Sequence, residues 1–209
     1  MIFTKRGDQE KKTSEIMSNL DDITKALLSF YPIIAILGSA RIQMSDPLYE
    51  QARELTTQLS QKGFSILTGA GQGIMSAANL GAQEAKGVSL GLMVDNPNAG
   101  NINDCLDDCF YVQDVSLRKQ AFISVASALI CFPGGLGTLD EFSEFLAINQ
   151  WADQKKPIFL FDSAFWEPVL AWLHDTMLED YYVSLKDLDC IFLFDSIEDI
   201  LAAVNMIQA

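Results

Sequence analysis

The sequence predicts an α/β fold: a doubly wound parallel sheet with helices on both faces, three layers in all. From Ile33 onward, short apolar runs alternate with longer amphipathic segments, and strands alternating with helices build a parallel sheet covered on both sides. With 209 residues, 49% of them hydrophobic, the chain is long enough to enclose a substantial core in one domain. The run Ala128-Leu129-Ile130-Cys131-Phe132 leads into Pro133-Gly134-Gly135-Leu136-Gly137-Thr138-Leu139-Asp140-Glu141 and then a helical stretch, Glu141 to Gln150. Strand, glycine turn and helix follow one another as α/β units require.

Met1 to Ser29 reads as a polar tail leading into a helix over Asp21 to Phe30, a segment suited to packing on a partner. Residues 30–209 form the single domain. Ile33 to Leu37 is the first strand, and Pro47 to Gln61 a helix with proline in its first turn. Phe64 to Leu67 is the second strand, Ile74 to Lys86 a helix stopped by Gly87, and Val88 to Val94 the third strand. A polar loop from Asp95 to Asp108 reaches Phe110-Tyr111-Val112, followed by a helix from about Ser116 to Ala126. After the glycine-loop helix come a strand at Pro157 to Phe161 and a helix at Phe165 to Glu179. A short strand at Cys190 to Phe194 and a helix at Ile197 to Met206 close the chain.

Ligands in such folds bind at the carboxyl ends of the strands, and three of these ends carry small or polar residues. Gly134, Gly135 and Gly137 lack the Cβ that would hold a phosphate away from the main chain. Thr138 adds a hydroxyl, and Glu141 lies one turn into the helix. Thr138-x-x-Glu141 equally fits a capping box, in which Thr138 caps the helix and Glu141 reaches back. The two roles are compatible.

The first strand ends in Gly38-Ser39-Ala40-Arg41 and the second in Thr68-Gly69-Ala70-Gly71-Gln72-Gly73. The latter invites a dinucleotide reading, with Asp95 after the next strand. A G-x-G-x-x-G fingerprint would place its third glycine where Ile74 stands. Arg118 and Lys119 open a helix, where a cation opposes the helix dipole. A guanidinium so placed is suited to a phosphate or ribose oxygen.

The formal net charge of -14 argues against nucleic-acid or anionic-membrane partners, which draw on clustered Lys and Arg. No apolar run reaches the roughly 20 residues of a membrane span, and Met1 to Asp22 has no apolar signal core. The cysteines at 105, 109, 131 and 190, with His174 as the one histidine, do not form a metal-ligand pattern. Idle thiols in a reducing cytoplasm are expected.

Leu117-Arg118-Lys119 followed by Pro133 to Glu141 resembles the R-K…P-G-G-x-G-T-x-x-E signature of the LOG family. These are Rossmann-like cytokinin riboside 5'-monophosphate phosphoribohydrolases, long labelled putative lysine decarboxylases. Ile36 to Arg41 is similar to the family's first strand and loop, and Thr68 to Met75 to its T-G-G-G-P-G-I-M segment. Pro97-Asn98 sits where longer bacterial members carry P-N. Ala70 and Gln72 replace the usual Gly and Pro, Ser76 replaces a frequent Glu, and the loop around Asn98-Ala99-Gly100 is atypical. No pyridoxal-site lysine signature is present.

The resemblance implies hydrolysis of a nucleoside 5'-monophosphate, of AMP or cytokinin riboside type, to free base and ribose 5-phosphate. It implies Arg118 and Glu141 as catalytic residues and Gly134, Gly135, Gly137 and Thr138 as the phosphate site. Further nucleotide contacts would come from Gly38, Ser39, Arg41, Gly69, Gly71, Gly73, Met75 and Lys119. It also implies a homodimer and neither metal nor cofactor. Phe142, Phe145, Leu146 and Trp151 suit a partner surface or the core. A noncatalytic nucleotide or molybdenum-cofactor carrier on the same scaffold is the alternative.

Overall fold

β1 (Ile33–Leu37) consists of five apolar residues, all buried. A strand of this kind needs neighbours on both edges and helices on both faces. In the computed structural model, which describes residues 16–96 and 100–205, β1 pairs with β2 (Ser65–Thr68) on one edge and β5 (Ala128–Cys131) on the other. β3 (Ser89–Val94) and β4 (Asp108–Val112) extend the sheet beyond β2. β6 (Ile158–Phe161) and β7 (Ile191–Phe194) extend it beyond β5. The order is β4-β3-β2-β1-β5-β6-β7, and every pairing is parallel.

The order reverses between β1 and β5, so the chain leaves these neighbours toward opposite faces. α2 (Pro47–Gln61) and α3 (Ile74–Glu84) follow β1 and β2, and share one apolar layer with α8 (Ile197–Asn205). The other face carries α1 (Leu20–Leu28), α4 (Val115–Val125), α5 (Leu136–Asn149), α6 (Ser163–Trp172) and the short α7 (Leu185–Leu188). A crevice opens at such a reversal, outside the strand carboxyl ends.

Local chemistry starts and stops these helices. Asp46 accepts from the Leu48 N–H ahead of Pro47, and Asp114 accepts from the Leu117 N–H. Asn19 accepts from the Asp22 N–H, and α1 buries Ile23 and Leu27 in its own chain's core. The described part of the N-terminal segment thus packs on this chain, with Met17 bridging to Val112 at the free edge of β4.

Four expectations from sequence are revised. α3 ends at Glu84, and the left-handed residue that follows is Lys86 (φ 58°), not Gly87. The Lys86 N–H donates to Gln83 O and the Gly87 N–H to Ala82 O, a Schellman motif carried by a lysine. Gly87 is required for another reason: a Cβ there would lie 2.6 Å from the Ser60 Cβ. The helix expected over Phe165 to Glu179 divides into α6 and a π-helical turn, Leu173–Leu178. α7, with its Ser184–Asp187 capping box, is an additional element. α5 begins at Leu136 rather than Glu141, because glycines 134 and 135 let the chain turn into the helix early. Pro97, Asn98, Ala99 and Met206 lie outside the described residues.

A buried polar network fixes the β2 end. The Thr68 hydroxyl donates to Asn79 Oδ1 (2.7 Å), and Asn79 Nδ2 donates to the Ser89 hydroxyl (2.9 Å). Asn103 Nδ2 donates to Asn79 Oδ1 (3.0 Å) and to Gly71 O (2.9 Å). Asn79 is fully buried. Replacing it by leucine takes the acceptor from the Thr68 hydroxyl, while Ser89 keeps Cys105 O (2.6 Å), at a cost of about 2 kcal/mol. Asn79→Leu is expected to lower the unfolding free energy by that amount, seen as a lower urea midpoint with an unchanged slope; an unmoved midpoint would contradict this.

Candidate active site

The crevice is assembled around Ser39. Its N–H donates to Pro133 O (3.0 Å), and its carbonyl accepts from the Ile74 N–H (3.0 Å). One residue therefore joins the loops after β1, β2 and β5. The approach needs Gly73 (φ 66°), since a Cβ there would lie 2.3 Å from Ser39 O. Gly38 backs against the Ile74 side chain, and the Ser39 hydroxyl accepts from the Arg41 N–H (3.1 Å). Arg41 itself is exposed and makes no ion pair among the described residues.

The next loop folds around Met75, whose Sδ lies 3.1 Å from where a Gly69 Cβ would stand, and whose Cε lies 2.5 Å from a Gly71 Cβ. Ala70 holds φ 63°, the left-handed region costly for a residue with Cβ. Its carbonyl is tied to the Asn103 N–H (3.0 Å). The Ala-for-Gly departure is thus accommodated by a bracing loop.

The glycine loop divides its labour. A Cβ on Gly134 would meet the Thr138 hydroxyl at 2.2 Å, so this glycine makes room for a buried threonine. At Gly135 and Gly137 an added Cβ would meet nothing within 4 Å. The helix N-cap is Gly135, with no side-chain cap. Thr138 is therefore the third helical residue, not the cap, and the capping box is overturned. The first-turn N–H groups of Leu136, Gly137 and Thr138 have no intrahelical acceptor. They add to the positive end of the helix dipole.

Glu141 points across to α4 instead of back along α5. Its Oε1 accepts from Arg118 Nη2 (2.8 Å), with side-chain exposures of 15% and 24%. Arg118 Nη1 lies 3.9 Å from a built Gly69 Cβ, so the pair sits beside the β2 loop. Arg118 Nε is buried without a hydrogen-bond partner among the described residues. Arg118 is the fourth residue of α4, and the acid opposite offsets a cation ill placed for the helix dipole. Burial raises the Glu141 carboxyl above its ordinary range, Asp140 adds to this, and Arg118 opposes it. Lys119 is drawn to Asp140 (3.1 Å) and Glu144.

Cys131 lies fully buried nearby; burial first, and then Glu141, hold its thiol well above the usual range. It stays protonated and is no nucleophile. Cys109, Cys131 and Cys190 carry free thiols. Among the described residues no group of three or more His, Cys, Asp or Glu is placed to hold a metal. No helix among them is long and apolar enough to cross a membrane.

Arg118, Glu141, Gly69 and the glycine loop are thus brought together, while Gly38, Ser39 and Gly73 form the backbone seam behind them. Phe142, Phe145 and Leu146 are core residues, whereas Trp151 is 87% exposed. The carboxylates Asp140 and Glu144 and the braces Asn79 and Asn103 went unnoticed in the sequence. Asp140 and Glu144 could have been found by asking what faces two adjacent cations; a polar loop residue such as Asn103 carries no such signal.

Residues 75–204 match the family model described as "Possible lysine decarboxylase". Among curated relatives, the pyrimidine/purine nucleotide 5'-monophosphate nucleosidase of Escherichia coli K12 is 30% identical over 124 residues. That alignment covers 56% of this chain and 27% of the relative, so the chain spans about a quarter of its length. The cytokinin riboside 5'-monophosphate phosphoribohydrolase of Mycobacterium tuberculosis is 28% identical over 159 residues, covering 75% of this chain and 84% of the relative. Among solved structures, the molybdenum cofactor binding protein of Rippkaea orientalis superposes with a TM-score of 0.66 at 24% identity, covering 85% and 98% of the two chains. The molybdenum cofactor carrier protein of Chlamydomonas reinhardtii gives 0.64 at 23% identity, with coverages of 85% and 98%. These structural likenesses show the Rossmann-like fold. The family match spans more than half of the sequence, and the chain belongs to the LOG family, whose model bears the lysine decarboxylase description.

Proposed function

We propose that the protein hydrolyses the N-glycosidic bond of a nucleoside 5'-monophosphate, giving free base and ribose 5-phosphate. The observation that carries this reading is the half-enclosed Arg118–Glu141 pair beside an uncapped helix start. The activities for which the E. coli and M. tuberculosis relatives are named support the same chemistry.

The 5'-phosphate sits on the free N–H groups of Leu136, Gly137 and Thr138, in the open space at Gly135 and Gly137. Binding energy from this remote group aligns the scissile bond. As the C1'–N bond breaks, its electron pair leaves with the base and positive charge grows on the ribose. The Glu141 carboxylate stabilises that charge and takes a proton from the water that attacks C1', and that proton then passes through solvent to the departing base nitrogen. Arg118 donates to Glu141 through Nη2 and keeps Nη1 for ribose oxygens or the departing base. Gly38, Ser39, Arg41, Gly69, Gly71, Gly73 and Met75 form the wall against which the nucleoside lies. A homodimer is part of this proposal, supported by exposed Leu136, Leu139 and Trp151 on and just beyond α5.

The carrier proteins of similar fold favour one second reading, capture of a nucleotide-like ligand without turnover. The two diverge in a single assay. Glu141→Gln is expected to keep ribose 5-phosphate affinity while base release from AMP falls by about 10²–10³-fold. The measurement is chromatography of free base after incubation with a panel of monophosphates. Retained release in the variant removes Glu141 from catalysis, and tight binding with no release by the wild type favours the carrier.

The raised carboxyl of Glu141 sets the pH dependence. Glu141 remains protonated at pH values where an ordinary glutamate, near 4.5, has already ionised. The base-competent form is lost as pH falls through this raised value. The acid limb of kcat/KM against pH is therefore expected above 4.5; a limb at or below it would contradict the assignment.

A further inference from the structure

The loop after β2 is gripped by its carbonyls from one flank. Asn103, in the connection between β3 and β4, is 4% exposed, and all of its side-chain donors and its own N–H are engaged. The Asn103 N–H donates to Ala70 O (3.0 Å), and its Nδ2 donates to Gly71 O (2.9 Å) and to Asn79 Oδ1 (3.0 Å). Its Oδ1 accepts from the Cys105 N–H (3.0 Å). The Gln72 side chain turns the same way, its Nε2 donating to Asn101 O (3.3 Å). The peptides joining Ala70 to Gly71 and Gly71 to Gln72 are trans, so each N–H points opposite to its carbonyl. With both carbonyls drawn to the β3 flank, the N–H groups of Gly71 and Gln72 are directed to the other flank, where the Ile74 N–H meets Ser39 O at the crevice. Neither N–H has an acceptor among the described residues. Successive N–H groups on one side of a turn form an anion-binding concavity.

We propose that the backbone N–H groups of Gly71 and Gln72 donate as a pair to an oxygen of the ribose 5-phosphate moiety, and that Asn103 is the positioning residue that aims them. The sugar rather than the base is the partner, because Gly69 of the same loop lies beside Arg118 Nη1, next to the Glu141 carboxylate. Gln72 makes the second donor possible. The T-G-G-G-P-G-I-M segment that this loop resembles has proline at that position, and proline carries no N–H. The substitution therefore adds a main-chain donor to the crevice, while its side chain is tied back to Asn101. Ala70 at φ 63° belongs to the same device: its left-handed backbone is held by the bond from the Asn103 N–H to its carbonyl. The proposal rests on the site described above for its ligand, and not on turnover.

The test uses the intact chain and ribose 5-phosphate as the probe. In a nitrogen-15 NMR titration, the Gln72 amide proton, identified by its loss in Gln72→Pro, is expected to move downfield as ribose 5-phosphate saturates the site. By calorimetry, Gln72→Pro is expected to bind ribose 5-phosphate at least about fivefold more weakly than Gln72→Ala, which keeps the N–H; fivefold corresponds to about 1 kcal/mol. Asn103→Ala is expected to weaken binding by a similar factor and to shrink the Gln72 amide shift at saturation. Equal affinities in Gln72→Pro and Gln72→Ala overturn the proposal, as does a Gln72 amide that stays in place at saturation. If Gln72→Pro fails to fold, glutamine-selective labelling with Gln72→Ala identifies the resonance and Asn103→Ala decides: an affinity within about twofold of wild type overturns the proposal. A wild type that does not bind ribose 5-phosphate overturns it as well. Binding without base release from any monophosphate would sink the hydrolase reading alone and leave the amide result standing.

Discussion

One peptide neighbourhood controls the crevice: the backbone of Ser39, donating to Pro133 O and accepting from Ile74 N–H. These two bonds bring the loops after β5 and β2 against the loop after β1, at the point where strand order reverses. Everything chemical hangs from that seam. The free start of α5 follows Pro133 within three residues, and the first turn of α3 carries Met75 against Gly69 and Gly71. Gly73 is the steric condition for the seam, since any side chain there would run into Ser39 O.

The site departs from the rules that serve stability elsewhere. α1, α2 and α4 start with Asn19, Asp46 and Asp114 as side-chain caps, each worth about 1 kcal/mol. α3 and α5, which open on the crevice, start at glycines with no side-chain cap. A helix start left uncapped keeps its N–H groups for an anion. The Arg118–Glu141 pair is a second departure, because withdrawing two charges from water costs more than a modest ion pair returns. Its use lies in holding a carboxylate that burial has made a stronger base, with a guanidinium beside it to keep it oriented.

Much of this architecture was legible in the residues. β1 and α2 fall where apolar pattern and the Asp46-Pro47 start place them, and the strand–glycine–helix unit expected over 128 to 150 is present as β5 and α5. Local signals failed where tertiary contact overrode them. Thr138 and Glu141 have capping-box spacing, but Gly134 admits the threonine to the interior and Arg118 claims the glutamate, so the helix starts earlier. Lys86 takes the left-handed position, while Gly87 is needed because Ser60 packs where a side chain at 87 would lie. The braces Asn79 and Asn103 act across 24 residues of sequence; no periodicity or turn rule reports such a contact. The ion pairs of Lys119 were hidden for the same reason, since Asp140 and Glu144 become its neighbours only once α4 and α5 pack together.

The central claim is that the α5 start grips a sugar phosphate so that Glu141 meets the anomeric carbon. A crystal structure of Glu141→Gln with AMP tests this most directly. The account predicts phosphate oxygens on the N–H groups of Leu136, Gly137 and Thr138, with C1' facing residue 141 and Arg118. Phosphate density elsewhere, with Gly135 to Thr138 unoccupied, would contradict it.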